Sequence, residues 1–431
     1  MADRARLIEV DKLFTKLGFT AFGGPAVHAG MMEDEVVHRR KWIDRQHFLD
    51  LMAAVNFIPG PNSTELAIHI GLIRAGLPGL VVAGVCFITP AVLIILPLAW
   101  LYTTYQQLPA VGGVLRGISA VVIAVIAVAM LRLFKTALSN PIYIAIAVIT
   151  VIAGYCLRGV TVVPIELVLL GVAAFTGWFA QSRSHKAALP LIALSLLPLA
   201  QDASSPLAVS QRSPSSQRET GSKKTRWFDG MSKMLAFPFL AMPAMSTTTA
   251  GLLTMTLAFL RIGATLFGSG YLLVPYLQAG LVDRAHLLTQ QQMQDSIAVG
   301  QVTPGPLLTT ATFAGYVVGH TTLHGGNALG VIGALLATVA IFAPSFVLVA
   351  LLGKYHPAVR NLPGARGALD GMNAAVVAMI LLVLIKLAAA SLHDAWSIGL
   401  AVVGAVLMLA WNVNSTWLIA GAGLVGWLVY R

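Results

Sequence analysis

Charge is scarce in this chain. Only 10% of its 431 residues are Asp, Glu, Lys or Arg, against 57% hydrophobic residues and a mean hydropathy of +0.80. A soluble globule carries about a quarter charged residues, so that class is excluded. Cysteine is nearly absent. Cys86 and Cys156 lie in apolar stretches without CxxC or Cys/His spacing, which gives no basis for a disulfide framework or a zinc site. The sequence has no GxxxxGK[ST] phosphate loop, no CxxCH and no glycine fingerprint following a strand. An ATP-driven pump and a redox enzyme therefore lack their machinery, and no cofactor or metal is expected. Strict apolar/polar alternation is missing too, which excludes a membrane β-barrel. Residues 1–13, MADRARLIEVDKL, have no apolar core before a cleavage site, so no cleavable signal is expected.

What is present is apolar sequence in long runs, for instance 79–101, 112–131, 161–180 and 327–352. Each approaches or exceeds the span of a bilayer. The expectation is an all-α polytopic membrane protein. The net charge of +11 then reflects cytoplasmic loops rich in Lys and Arg rather than a nucleic-acid partner.

The chain is also written twice. FTKLGFTAFGG (14–24) matches FLRIGATLFGS (259–269) at an offset of 245, aligning Lys16 with Arg261, Gly18 with Gly263 and Thr20 with Thr265. The same offset aligns Gly23 with Gly268, Asp50 with Asp295, Asn56 with Gln301, and Pro59-Gly60-Pro61 with Pro304-Gly305-Pro306. Further on the offset becomes 254 and aligns Pro90 with Pro344, Gly117 with Gly371 and Arg132 with Lys386. Two homologous halves are expected, 1–200 and 235–431, joined by a polar, basic cytoplasmic linker at 201–234. Loop 31–47 carries four Lys or Arg, whereas 281–294 carries only Arg284. Loop 102–115 carries none, whereas 353–367 carries three. The positive face changes sides between copies, which predicts inverted-topology repeats. The moderately apolar 235–256 is a candidate for the additional span that inversion requires.

Within each half, PGP breaks an apolar segment. Pro removes a backbone donor and clashes one turn back, so 48–74 and 293–320 each read as two short helices meeting at the triplet. Such segments are predicted to be hairpins dipping into the membrane from opposite faces, with Gly23, Gly24, Gly268 and the two triplets as structural hinges. Irregular backbone at that depth needs protein or a water-filled cavity around it. The helix N-termini after the triplets would present free N–H groups to an anion. Asn56, Asn62, Ser63, Thr64, Gln301, Thr303, Thr309 and Thr310 cluster there as candidate substrate-binding groups. The alternative is that PGP merely kinks a helix for packing.

Glu65 is an intramembrane carboxylate, by default a functional candidate. With His69 four residues on, it is the candidate proton-coupling pair, against the alternative of a structural cap or a salt bridge to Arg116 or Lys16. Lys16 and Arg261 are candidate cations for a dianion, against the alternative of snorkelling to the interface. Arg116 and Asp370 align with reversed charge and are a candidate pair or gate. Glu166 aligns with no charged residue and reads as interfacial.

FTKLGFTAFGGP, the PGP segments and the two-copy layout together resemble the long-chain chromate ion transporter family, over about 12–135 and 257–388. The second half departs from the first, with Phe267-Gly268-Ser269-Gly270 for Phe22-Gly23-Gly24-Pro25 and Thr310 in place of Glu65. The resemblance implies a bacterial inner-membrane protein that exports chromate, driven by the proton motive force, and so confers chromate resistance. Its partners would be chromate, protons and the lipid bilayer, and a homodimer is compatible with it. Nothing in the spacing separates chromate from sulfate, or a carrier from a channel.

Overall fold

The computed structural model describes residues 4–22, 25–55, 58–138, 140–156, 165–182, 247–267, 270–352 and 364–430. Every regular element among them is helical. The first half runs α1 (Arg4–Thr20), α2 (Pro25–Glu33), α3 (Arg45–Val55), α4 (Asn62–Tyr105), α5 (Pro109–Ala137), α6 (Pro141–Cys156) and α7 (Ile165–Ser182). The second runs α8 (Thr247–Thr265), α9 (Leu273–Leu277), α10 (Gln290–Val302), α11 (Thr310–Val317), α12 (Gly326–Leu352), α13 (Ala365–Ser391), α14 (Ala395–Ala410) and α15 (Ser415–Val429). Both α2 and α9 end in a π-helical turn, Asp34–Arg39 and Gln278–Arg284.

Among the described residues, four helices are long and apolar enough to cross a bilayer: 62–105, 111–137, 326–351 and 366–391. This is a multi-pass α-helical membrane protein. Many large apolar side chains point outward, among them Phe175, Val339, Leu351 and Trp417, as lipid permits and water would not. The linker and the boundaries set at 200 and 235 lie outside the described residues. The described part of 235–256 does not form a span of its own. Residues 247–256 run continuously into α8, the counterpart of α1.

α4 is two helices in succession. Ala75 and Gly76 leave helical geometry, with φ of −141° and +67°. The chain reverses there, so closely that a Cβ on Gly71 would lie 2.3 Å from the Gly79 carbonyl oxygen. The second half reverses likewise between α11 and α12, where a Cβ on Gly315 would lie 2.4 Å from the Gly333 oxygen.

Packing is reciprocal between the halves. α5 packs on α15, and α13 packs on α7. The backbones meet at small residues. A Cβ on Gly117 would sit 2.1 Å from the Ala422 oxygen, and one on Gly371 2.2 Å from the Ala173 oxygen. In lipid no hydrophobic effect drives helices together, so close backbone approach through glycine supplies the van der Waals contact instead. α1 crosses the outgoing part of α4 at Gly18, and α8 crosses α12 at Gly263.

Candidate substrate site at the broken helices

The helices stop where the sequence places Pro and Gly. α3 ends at Val55 and α4 begins at Asn62. Ile58, Pro59, Gly60 and Pro61 between them are non-helical and buried. In the second half α10 ends at Val302, and Thr303, Pro304, Gly305 and Pro306 are likewise non-helical and buried. A short 3₁₀ turn, Leu307–Thr309, then leads into α11. Asn56, Gly23, Gly24 and Gly268 lie outside the described residues.

Each break is tied to the opposite half. The Gly60 N–H donates to the Leu266 carbonyl at 2.6 Å, and the Gly305 N–H donates to the Ala21 carbonyl at 2.9 Å. Gly60 aligns with Gly305 and Ala21 with Leu266 at the same offset of 245. The two bonds are one interaction made twice. Such exchange is the mark of a two-fold relation, in which i meets j and j meets i. His28, buried on α2, brings its Nε2 within 3.0 Å of the same Ala21 oxygen.

Past the first break, Ser63, Thr64, Glu65 and His69 are all buried, Thr64 and Glu65 completely. The Ser345 hydroxyl of α12 lies 3.3 Å from Glu65 Oε1 and 3.5 Å from the Pro59 carbonyl. His69 Nδ1 lies 3.0 Å from the Glu65 backbone carbonyl, so the pair share a helix turn. Among the described residues, Thr64 Oγ1, Glu65 Oε2 and Gln301 Nε2 have no hydrogen-bond partner. Buried polar atoms are satisfied in the great majority of cases; His28 Nδ1, Gln294 Nε2 and Thr416 Oγ1 are also unpaired. The second break differs. Thr303, Thr309 and Thr310 each donate their hydroxyl to a carbonyl nearby, of Val299, Pro306 and Leu307 respectively. They retain lone pairs, which an anion does not need.

The charged candidates find other partners. Lys16 Nζ donates to Glu35 at 2.7 Å, and Arg40 joins it at 3.1 Å. The Lys16 hydrogen bond outweighs partial burial and holds the Glu35 carboxyl below its ordinary value, with Arg40 adding to the effect. Arg261 lines a cavity of about 360 Å³ with Glu166, Tyr276 and Arg284. Arg116 stacks over the Tyr430 ring at 5.6 Å, and Asp370 accepts from Tyr143 at 3.5 Å, so these two sit with different partners. Glu166 pairs with Arg284.

Two participants escape a reading of the sequence. Ser345 is signalled only by following Pro344, which aligns with Pro90. Asp295 aligns with Asp50, yet only the structure buries it and gives it the Tyr102 hydroxyl and Gln291 Nε2 as donors, each at 2.9 Å.

The chromate transporter family pattern matches residues 8–178 and 253–427, so each match contains one of the breaks. The chain belongs to the chromate transporter family. A chromate transport protein of Cupriavidus metallidurans is 29% identical over 97% of this chain and 92% of its own. One of Pseudomonas aeruginosa is 27% identical over 97% and 91%, and a probable chromate transport protein of Synechococcus elongatus is 27% identical over 90% and 86%. No solved structure matches. Membership makes this chain a member of a transporter family rather than an enzyme family.

Proposed function

We propose that this protein is a secondary transporter that exports chromate across the bacterial cytoplasmic membrane, coupled to the inward movement of protons. The observation that carries the reading is the pair of breaks, each bonded to the other half, with the fully buried Glu65 beside one of them. Paired interrupted helices at a repeat interface are where secondary transporters hold substrate. The substrate would rest on the Asn62 and Ser63 N–H groups that open α4, with the Thr64 hydroxyl and Gln301 Nε2 as further donors, while Thr303, Thr309 and Thr310, whose hydroxyls donate to their own backbone, would line the site from the second half. Pro59–Pro61 and Pro304–Pro306 would act as the hinges, with Gly23, Gly24 and Gly268 beside them.

The halves are read as inverted repeats, each broken segment dipping in from its own face. The packing supports this. Gly113 lies against Gly426 and Gly117 against Ala422, so α5 and α15 run antiparallel. A helix as long as α13 already spans the bilayer, so the three- and four-residue turns at 392–394 and 411–414 must reverse the chain. α13 then runs parallel to α15 and opposite to α5, its counterpart. The basic loop 31–47 puts that end of the first half in the cytoplasm.

Glu65 is the proposed coupling group, with His69 one turn behind it. A carboxyl that takes up a proton outside once the substrate has left, and must release it inside before the next one is carried, ties the two movements together. Arg116 and Asp370 are proposed as gate residues that move separately rather than as one pair.

The test uses purified protein in liposomes under an imposed pH gradient, following labelled chromate with sulfate as competitor. Uphill movement that collapses with a protonophore is expected. Movement only down the chromate gradient would make the protein a channel, and sulfate outcompeting chromate would reassign the substrate. Glu65→Gln is expected to lose uphill transport and keep anion exchange. If it still concentrates chromate, the coupling assignment fails.

A further inference from the structure

Two cations recur at equivalent positions of the halves. Lys16 and Arg39 in the first align with Arg261 and Arg284 in the second, at the same offset of 245. In each half a carboxylate lies among them. Glu35 accepts from Lys16 at 2.7 Å and lies 3.5 Å from Arg39, which pairs more closely with Asp34 at 2.8 Å. Glu166 pairs with Arg284 and lines the same cavity as Arg261. The two carboxylates are not equivalent, however. Gly280 occupies the position matching Glu35, and Glu166 comes from α7 of the opposite half. Here the cation pair is duplicated and its counter-charge has been supplied twice over from different places.

The surroundings in the second half point to a mobile ligand. The Glu166–Arg284 bridge is shared by two cavities of about 360 and 320 Å³, both lined by Glu166, Ala279 and Arg284. In the larger one, the other polar groups have spent their hydroxyl protons. Tyr276 donates to the Thr265 carbonyl, Thr265 to that of Arg261 and Thr254 to that of Ala250. The guanidinium groups are the donors left to face the cavity. A guanidinium pair recognises planar or tetrahedral oxyanions through forked hydrogen bonds.

We propose that Arg261 and Arg284 form an oxyanion station separate from the broken-helix centre, occupied at rest by the Glu166 carboxylate. A tetrahedral dianion displaces Glu166 from Arg284 and, in doing so, joins the two cavities. Lys16, Arg39 and Glu35 form its counterpart, which faces the opposite side of the membrane under the inverted arrangement. The ligand class rests on the oxyanion-transport reading; the displacement does not.

The experiment measures sulfate and chromate binding to the detergent-solubilised full chain by titration calorimetry, with transport followed in parallel. Glu166→Gln removes the competing charge and keeps the side-chain shape, so it is expected to tighten the dianion about tenfold, the scale of one charge-assisted hydrogen bond. Arg261→Gln is expected to loosen it by a similar factor. The Glu166→Gln effect is expected to persist in a Glu65→Gln background, since the station is separate from the centre. If both single variants stay within about twofold of the parent while their unfolding midpoints fall, the bridge is structural and the station is refuted. Wild-type protein that binds the dianion with these responses but moves none across the membrane would leave the station standing and overturn the transport reading.

Discussion

At the scale of residues, Gly60 and Gly305 hold φ of +146° and +100°, where an L side chain is strained. Their surroundings differ. A methyl at 60 would lie 1.9 Å from Glu65 Oε1 and 2.2 Å from Ser345 Oγ, whereas one at 305 would lie 3.1 Å from the Ala91 methyl. Both alanine variants are therefore expected to lose about 1–3 kcal/mol of stability, with Gly60→Ala the worse. Unfolding midpoints in detergent check the order. Gly60→Ala is also expected to abolish chromate movement, because the methyl displaces the Glu65 carboxyl itself. Glu35 makes a pH prediction. Its carboxyl is held below the ordinary 4.5, first by the Lys16 hydrogen bond. A depressed folded value means stability that is present above the ordinary value and is lost as pH falls through the folded one. Acid titration is expected to loosen the contact between α1 and the 34–39 turn, and Glu35→Gln to flatten that part of the midpoint-against-pH curve.

At the scale of elements, the interrupted helices are the part most legible in sequence. Pro and Gly act on their own turn, so the breaks at 59–61 and 304–306 could be placed from the triplets alone. Thr289 and Gln292 form a reciprocal capping box that starts α10. What holds α10 against the first half was not legible. The Tyr102 hydroxyl of α4 donates to Asp295 of α10 across 193 residues, in contact with Phe313 through its ring. Nothing local to either residue announces that bond. Tyr102→Phe is expected to cost about 1–2 kcal/mol. In a double-mutant cycle with Asp295→Asn the two losses are expected not to add, whereas additive losses would mean that the bond carries no stability.

At the scale of the whole molecule, the reciprocal contacts of α5 with α15 and α13 with α7 make the halves interdependent. Inversion is testable directly. With Cys86 and Cys156 replaced, single cysteines at Asp44 and at Thr289, its counterpart at offset 245, are expected to react with a membrane-impermeant thiol reagent from opposite sides. Labelling from one side would refute inversion.

The sequence by itself determined the solvent, the helical class, the duplication and the places where helices break. Each of these follows from composition, run length or residues within one turn of each other. The tertiary structure alone decided which charge meets which. Lys16 turns to Glu35, Arg284 to Glu166, Arg116 to Tyr430 and Asp370 to Tyr143. Those choices depend on how each helix is rotated about its axis and where along its length it crosses a neighbour. Helices apolar on nearly every face carry no moment that fixes rotation. It is set instead by where glycines let two backbones close, and that is a property of the assembled bundle.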